Sequence, residues 1–311
     1  MTAPTPLTAN RRARIEGHLA MLLFSVIVAG SNSFGKLIAG DIDPAALTAV
    51  RFALGAVLLG AGLAATGRLN PAHFRAPWRY LPLGAAYATF FVLMFEALKT
   101  TSPVSTSAIF TMMPFIAALM GWVLFRQRNA PLVWVALMIG AFGALWVVFR
   151  GSLSAFLGFG LGRGELLYLI GTAAHAAYAV LVPHLRRGEP VYAVSLGVAV
   201  SGAAILMVMF FPHITATNWA ALPLRVWVVL AYLAILAGIG TFSLVTLAAQ
   251  RLTPAKVTAY TYLTPFWVVL MEMVLGNGVP TFAVLLGGVP IILALILLFY
   301  ESERPQQRQK A

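Results

Sequence analysis

The stretch EALKTTSPVSTSAIFTMMPFIAALMGWVLF, Glu96–Phe125, is the most informative part of the sequence, because a second version of it, LAAQRLTPAKVTAYTYLTPFWVVLMEMVL, follows at Leu247–Leu275. Each version holds two prolines at one common offset: Pro103 and Pro114 in the first, Pro254 and Pro265 in the second. Hydroxyl-bearing residues lie between the prolines in both. A repeat of about half the chain, with polar and proline-interrupted helices at matching places, is typical of carriers whose substrate site lies between two repeats. The four prolines are therefore candidate helix hinges.

The composition places the chain in a membrane. Of its 311 residues, 60% are hydrophobic and only 10% are charged, whereas soluble domains carry about 25% charged residues. The net charge is +12, and the charged residues lie mostly in short connections between apolar runs. We therefore expect the positive residues to orient the chain in the membrane and not to bind nucleic acid. The chain has no cysteine, which excludes disulfides and thiolate chemistry. The expected partners are the lipid bilayer and a small-molecule substrate.

Ten apolar runs are long enough to span a bilayer, which takes about 20 apolar residues. They cover residues 18–39, 45–66, 79–98, 103–125, 131–149, 164–184, 190–212, 225–248, 254–275 and 281–300. We predict an all-α integral membrane protein with ten transmembrane helices in two inverted five-helix repeats. The predicted segments are an N-terminal tail at 1–17, a first repeat at 18–150, a glycine-rich linker at 151–163, a second repeat at 164–300 and a C-terminal tail at 301–311.

Most of the 21 Lys and Arg residues fall in connections on the side that holds the N-terminus. Because positive residues mark the cytoplasmic side, we expect both termini in the cytoplasm and the chain in a bacterial inner membrane. Five helices is an odd number, so the second repeat enters the membrane from the opposite side and the repeats are inverted. The first apolar run has no clear cleavage site, and we interpret it as a retained helix.

Several stretches resemble the EamA-type ten-helix members of the drug/metabolite transporter superfamily. The first helix, MLLFSVIVAGSNSFGKL, carries Gly30, Asn32, Phe34 and Lys36, and the second carries the Arg51-Phe52 pair. The junction FEALKTTSPVSTSAIF before Pro114 is the most specific match. The sixth helix, TAAHAAYAVLVPHL, and the ninth, TPAKVTAYTYLTPF, resemble the second copy. The sequence departs from the family at FRQR (125–128) and GNG (276–278), where the family often has Gly-Glu.

The resemblance implies a secondary, alternating-access transporter of a small organic metabolite, such as an amino acid or related solute, a nucleoside or a vitamin. It also implies a cavity lined by helices 1, 3, 4, 6, 8 and 9. The stretches LLFSVIVAGS and IDPAALTAVRF additionally resemble the riboflavin-importer branch, so a riboflavin or vitamin importer is the alternative. A membrane-embedded enzyme is the remote alternative, because His and acidic residues never recur at metal-ligand spacing. We therefore predict no catalytic residue, metal or cofactor, and either a monomer or a homodimer.

Charged residues inside the spans are costly in lipid and usually face a cavity or a partner. The candidates for gating or ion coupling are Lys36, Arg51, Glu96 and Glu272. Arg51 is interpreted either as an outer gate or substrate-anion contact, or as a structural partner of Asp41, Asp43 or Glu96. Lys36 either gates the path or extends to the membrane interface. The two glutamates are either proton-coupling carboxylates or ionised partners of Lys36, Arg51 or Lys99.

Polar and aromatic residues inside the spans are candidates for substrate binding. Rings stack on flat substrates, and hydroxyl, amide and imidazole groups form hydrogen bonds in a cavity. Ordinary core packing and helix–helix contact are the alternatives for each residue. The candidate substrate-binding residues are Asn32, Tyr87, Phe90, Ser105, Thr106, Thr111, His175, Tyr178, Tyr260, Tyr262 and Trp267, with Phe91 and Phe110 as further ring candidates.

Overall fold

Helices make up the regular structure of the computed structural model, which describes residues 6–127, 130–149, 151–152, 154, 161–249, 251–252 and 260–308; these ranges hold no strand. The first half contains α1 Pro6–Ile38, α2 Pro44–Ala65, α3 Tyr80–Leu98, α4 Pro103–Phe110, α5 Met113–Phe125 and α6 Pro131–Val148. The second half contains α7 Arg163–Leu185, α8 Val191–Met209, α9 Phe211–Ala216, α10 Leu224–Ala231, a π-helical segment Tyr232–Gly240, α11 Thr241–Ala249, α12 Thr264–Val274, α13 Phe282–Leu286 and α14 Gly288–Arg308. Single 3₁₀ turns lie at Pro71–Phe74, Pro77–Arg79, Trp219–Ala221 and Tyr260–Leu263.

Eight helical stretches in the described ranges are long and apolar enough to cross a membrane, and Phe282–Leu298 is a shorter apolar helix. The predicted all-α membrane fold is therefore confirmed. The first residues of the ninth predicted span lie outside the described residues. Most of the predicted linker lies outside them as well. The tenth predicted span is interrupted at Gly287, between α13 and α14.

In each copy of the repeat, the α-helical structure is interrupted just before the second proline, Pro114 or Pro265. Helix α4 ends at Phe110 and α5 begins at Met113, one residue before Pro114. In the second copy, a 3₁₀ turn leads into α12, whose second residue is Pro265. A proline in the first turn of a helix lacks an N–H that would have no partner there anyway, which explains both positions. A hinge role stays a prediction, and Pro254 lies outside the described residues.

Polar caps fix where two helices of the first half begin. Asp43 precedes Pro44, and its Oδ1 accepts hydrogen bonds from the N–H groups of Ala45 at 2.9 Å and Ala46 at 3.0 Å. Ser102 precedes Pro103, and its Oγ accepts from the N–H of Ser105 at 3.1 Å. These side chains satisfy donors that the first helical turn leaves unpaired. Asp43 therefore caps the N-terminus of α2 and does not pair with a described cation within the bundle.

Helices of the two halves pack against each other through small residues. Helix α3 packs against α7 and α8, and α2 also packs against α8. Gly84 of α3 faces Ser201 and Gly202 of α8 so closely that a Cβ on Gly84 would lie 2.2 Å from the Ser201 Oγ. Small residues allow such close backbone approach between membrane helices. The contact places first-half and second-half helices around a common interior.

A buried ion pair joins the beginning of α3 to the connection after α7. The Arg79 Nη2 donates to Glu189 Oε1 at 2.5 Å, and Nη1 donates to the carbonyl of Leu185 at 2.8 Å. Both side chains are buried, at 5% and 7% exposure. Burial alone would raise the pKa of the Glu189 carboxyl, but the hydrogen bonds from Arg79 and from the Arg187 N–H outweigh it and lower that pKa to about 2. The ionised pair therefore stabilises the folded state.

We expect this pair to make the purified protein sensitive to acid. Because the pKa of Glu189 is lower in the folded state, about 2 against the usual 4.5, its contribution is full above the unfolded-state pKa and is lost as the pH falls from about 4.5 to about 2. The melting temperature in detergent would be measured for wild type and Glu189→Gln at several pH values. The advantage of the wild type at pH 6 should shrink towards pH 2.5. An advantage that stays constant over this range would contradict the prediction.

Candidate functional site

A cavity of about 370 Å³ lies between the two halves of the bundle. Its walls come from α1, α2, α3 and the end of α4 on one side, and from α7, α8, the π-helical segment and α11 on the other. Binding sites for small molecules have such volumes and are mostly apolar, with a few polar groups that orient the ligand. The walls of this cavity fit that description. It is the candidate substrate site.

Aromatic rings from α3 and α7 form one wall of the cavity. The rings of Tyr87 and Tyr178 stack, with centroids 4.7 Å apart, and Phe91 meets Tyr87 edge-on at 4.9 Å. His175 lies against Phe90, with ring centroids 4.6 Å apart, and against Tyr87 at 5.4 Å. Pairs of this geometry hold each other in place. The wall therefore offers a preformed surface for a flat or apolar solute.

Arg51 of α2 is a charged residue in the same cavity, where it is 5% exposed. Its Nε donates to the carbonyl of Leu233 at 3.2 Å, and its Cζ lies 3.7 Å from the centroid of the Phe91 ring. No ion pair joins it to an acid in the part of the chain described. The interpretation that Arg51 pairs with Asp41, Asp43 or Glu96 is wrong, since those carboxylates contact other groups.

The π-helical segment forms the wall that faces Arg51. Leu233, Ala234, Ala237, Gly238 and Ile239 of this segment line the cavity. Segments of this kind are rare and frequently occur at functional sites. The sequence predicts one continuous helix over 225–248 and does not indicate this segment. The short side chains of AGIG at 237–240 are the only local signal, and they do not distinguish a π-helix from an ordinary helix.

Asn32 of α1 lines the cavity and joins three helices by hydrogen bonds. Its Oδ1 accepts from the hydroxyl of Thr106 in α4 at 3.1 Å and from the hydroxyl of Tyr168 in α7 at 3.1 Å. Thr106 is fully buried behind Asn32. Tyr168 and Phe52 also line the cavity, and the sequence analysis did not select either as a site residue. The Arg51-Phe52 pair was the signal that could have pointed to Phe52.

Some predicted binding residues lie away from this cavity. Ser105 bonds Ser102, and the Thr111 hydroxyl donates to the carbonyl of Ala108 at 2.7 Å. In the second copy, the Tyr260 hydroxyl lies 2.8 Å from His18 Nδ1, Trp267 Nε1 donates to Ser25 Oγ at 2.9 Å, and Tyr262 is buried beside Gly140. The structure thus brings together Asn32, Tyr87, Phe90, His175 and Tyr178, with Phe91 and Phe110, but none of these others.

Three of the predicted spans differ from the expected lining. The predicted second and seventh spans, α2 and α8, contribute residues such as Leu59 and Ser195, whereas the described part of the ninth span contributes none. The reason is that α2 packs directly on α8, so that both help to enclose the space. The rings of Tyr262 and Trp267 instead pack between neighbouring helices.

Three further intramembrane charges among the described residues have local partners. Lys36 Nζ donates to the carbonyls of Leu98 at 2.7 Å and Thr101 at 3.1 Å, which stabilises the end of α3. It forms no ion pair with an acid among the described residues, and its place at the membrane interface or in a gate stays a prediction. Glu96 accepts from Lys99 at 2.7 Å. Glu272 is buried, its Oε2 accepts from Asn277 at 2.9 Å, and its Oε1 has no partner among the described atoms.

Ion pairs between the two halves lie at both ends of the bundle. At the end where α1 meets α2, Asp41 accepts two hydrogen bonds from Arg225, at 2.7 and 2.8 Å. At the opposite end, Arg251 donates to Glu16. No group of three or more His, Asp or Glu residues in the described ranges could hold a metal ion. The chemistry that this arrangement offers is solute binding in a cavity between the two halves.

An all-helical membrane protein with such a cavity between two halves, each with the same proline-interrupted element, has the features of a membrane transporter. The sequence profile of the EamA-like transporter family matches residues 15–149 and 162–300, and the chain belongs to this family of the drug/metabolite transporter superfamily. It is therefore a multi-pass membrane transporter.

Similar proteins agree with this class. A Bacillus subtilis protein called "Uncharacterized transporter YyaM" is 21% identical over 90% of this chain and 92% of its own length. An "Uncharacterized transporter" of Archaeoglobus fulgidus is 25% identical over 90% of this chain and 96% of its own length. A protein of known crystal structure superposes with a TM-score of 0.66 at 19% identity, over 94% of this chain and 98% of that one. This last likeness concerns the fold alone.

Proposed function

We propose that the protein is a secondary, alternating-access carrier that moves a small organic metabolite, such as an amino acid or a related solute, through the cavity between its two halves. The cavity carries this proposal: about 370 Å³, mostly apolar walls and few polar groups, at the boundary of two repeats. The proposal makes the protein a transporter and not an enzyme. A riboflavin or vitamin importer is the alternative, supported by the resemblance of the first two helices.

The ion pairs at the two ends support the mechanism. Asp41–Arg225 and Glu16–Arg251 each join a first-half residue to a second-half residue. Alternating access requires that one end opens while the other stays closed, and inverted repeats can exchange conformations in that way. Opening of either end would break one of these pairs and leave the other intact. Glu272, whose Oε1 has no partner among the described atoms, is the candidate for coupling to an ion.

The distribution of Lys and Arg supports an orientation in a bacterial inner membrane with both termini in the cytoplasm. The Asp41–Arg225 pair then closes the outer end and Glu16–Arg251 the inner end. The segments 18–150 and 164–300 act as the two moving repeats. Each half contributes helices to the cavity wall, as a site between repeats requires.

Counterflow tests the carrier proposal. Protein reconstituted in liposomes would be loaded with an excess of one unlabelled solute, and entry of the same labelled solute would be followed for a panel of amino acids, organic acids, nucleosides and flavins. We expect at least one solute to enter several times faster when its unlabelled form is inside, because a carrier reorients faster when loaded. Liposomes without protein are the control. Flux that does not depend on internal solute indicates a channel, and chemical conversion of the solute indicates an enzyme; either result contradicts the proposal.

A further inference from the structure

Every described carboxylate side chain contacts a group other than Arg51. The chain has nine Asp and Glu residues, and the side chains of seven are described. Each of the seven contacts a cation, a hydroxyl, an amide or a helix N-terminus: Glu16, Asp41, Asp43, Glu96, Glu165, Glu189 and Glu272. Arg51 therefore carries a buried positive charge with no described negative group against it.

The contacts that Arg51 does make leave part of its guanidinium unsatisfied. The Nε bond to the Leu233 carbonyl and the Phe91 ring face compensate part of the desolvation cost. The Nη1 has no hydrogen-bond partner among the described atoms, although it is buried. A buried unpaired donor on a charged group is costly. Because the Arg51 side chain lies in the cavity wall, a hydrogen-bond acceptor on a bound solute could pair with Nη1 and remove that cost.

A second unpaired nitrogen lies in the same wall. His175 is half-buried and lines the cavity, and its buried Nδ1 has no partner among the described atoms. Between His175 and Arg51 stand the rings of Tyr87 and Phe91, which contact each other edge-on. The wall thus presents a cation, an imidazole and flat rings to one cavity. Among the described lining residues, Arg51 is the only Asp, Glu, Lys or Arg.

We propose that the cavity binds an organic monoanion, whose carboxylate or similar oxyanion pairs with Arg51 while its apolar or aromatic body lies against Tyr87 and Tyr178. The inference rests on the carrier function proposed above and names its substrate class. Guanidinium groups bind carboxylates through parallel hydrogen bonds. A single cation balances a single negative charge, so a dianion would leave one charge uncompensated in a mostly apolar cavity.

The same charge arrangement selects against other solutes. The ammonium group of an amino acid or an amine would find no described carboxylate in the lining, and it would stand near the Arg51 charge. A neutral amide of the same shape would keep the ring contacts but lose the charge-assisted hydrogen bonds. Deaminated or amine-blocked acids are therefore the class that fits, and free amino acids fit less well.

Ligand-induced thermal stabilisation of the purified protein tests the inference without any variant. The probes are phenylacetate and 2-naphthoate, the corresponding neutral amides, 2-phenylethylamine and inorganic phosphate. We expect at least one of the two carboxylates to raise the melting temperature and to bind about 10- to 100-fold more tightly than its amide, the range for hydrogen bonds to charged groups. Amides that stabilise as well as the carboxylates, stabilisation by the amine or phosphate alone, or no stabilisation by either carboxylate would overturn the inference.

Variants locate the effect. Arg51→Gln should remove the preference for carboxylate over amide, whereas Arg51→Lys should retain part of it because the charge remains. Arg68→Gln is the matched control, since that arginine is exposed in the connection after α2 and is not among the lining residues of the cavity, and it should keep the full preference. A folded Arg51→Gln protein that still prefers the carboxylate contradicts the inference. If Arg51→Gln does not fold, the inference is tested by the affinities of the carboxylate and of its amide for the wild type and for Arg51→Lys.

Counterflow of labelled phenylacetate and 2-naphthoate at pH 8 separates this inference from the carrier proposal. Arg51-dependent binding without trans-stimulated exchange would support the anion site and contradict the carrier function. Exchange of neutral or cationic solutes without exchange of the carboxylates would support the carrier and overturn the anion site. Exchange of a carboxylate that is lost in Arg51→Gln and kept in Arg68→Gln supports both.

Discussion

Replacing Arg79 by glutamine is expected to destabilise the protein by about 3–5 kcal/mol, the cost of leaving one member of a buried ion pair without its partner. The variant would leave the Glu189 carboxylate buried at 7% exposure without its guanidinium. It would also remove the hydrogen bond that Arg79 donates to the Leu185 carbonyl. The free energy of unfolding would be measured by denaturant titration in detergent micelles, with helix content as the signal.

Two further variants make this result specific. Arg225→Gln also breaks an arginine–carboxylate pair, but the Arg225 side chain is 62% exposed, so the loss of stability should be much smaller than in Arg79→Gln. The double variant Arg79→Gln/Glu189→Gln removes both charges and should recover part of the stability lost in Arg79→Gln. Equal losses for Arg79→Gln and Arg225→Gln would show that burial of the Arg79 pair does not matter.

Replacing Gly84 by alanine is expected to destabilise the bundle by about 3 kcal/mol, at the upper end of the range for overpacking a core. A Cβ at Gly84 would lie 2.2 Å from Ser201 Oγ and 2.6 Å from the Gly202 backbone nitrogen. The backbone of α8 cannot yield as a flexible side chain does, so the two helices would have to separate. Loss of the Ser201 hydrogen bond to the Tyr80 carbonyl, 2.8 Å long, would follow.

The control for Gly84 is Gly62 of α2, where nothing lies within 4 Å of an added Cβ. Gly62→Ala should leave stability unchanged or raise it by up to about 1 kcal/mol, because alanine favours helices more than glycine does. Both variants would be compared by melting temperature and by the fraction of monodisperse protein after purification. If Gly84→Ala is as stable as Gly62→Ala, the close approach of α3 and α8 is not the contact that the structure describes.

The general architecture follows from the sequence because the bilayer imposes a simple rule on length and polarity. A span must bury its backbone polar groups within itself, so long apolar runs become helices. The prolines at 114 and 265 identified both interruptions, since each falls in the first turn after a break. The family could be recognised for the same reason, from motifs such as Arg51-Phe52 and the junction before Pro114.

The candidate site could be predicted only in part. Asn32, Tyr87, Phe90, His175 and Tyr178 were selected as polar or aromatic residues inside spans, and the structure brings them to one cavity. Tyr260, Tyr262 and Trp267 met the same criterion, yet they contact His18, Gly140 and Ser25 instead. Nearly every face of a membrane helix is apolar. Residue type therefore does not reveal which face packs against a neighbouring helix and which face lines the cavity.

The sequence alone determined the membrane class, the repeated halves and the proline breaks, since these depend on hydropathy and spacing along the chain. Tertiary structure alone decided the partners across the bundle. It placed Arg79 on Glu189 and left Arg51 against a π-helical carbonyl and not a carboxylate. It also let α2 and α8 enclose the cavity through close packing. These outcomes depend on how near two helices can approach, and that distance is set by pairs such as Gly84 and Gly202 whose members are far apart in sequence.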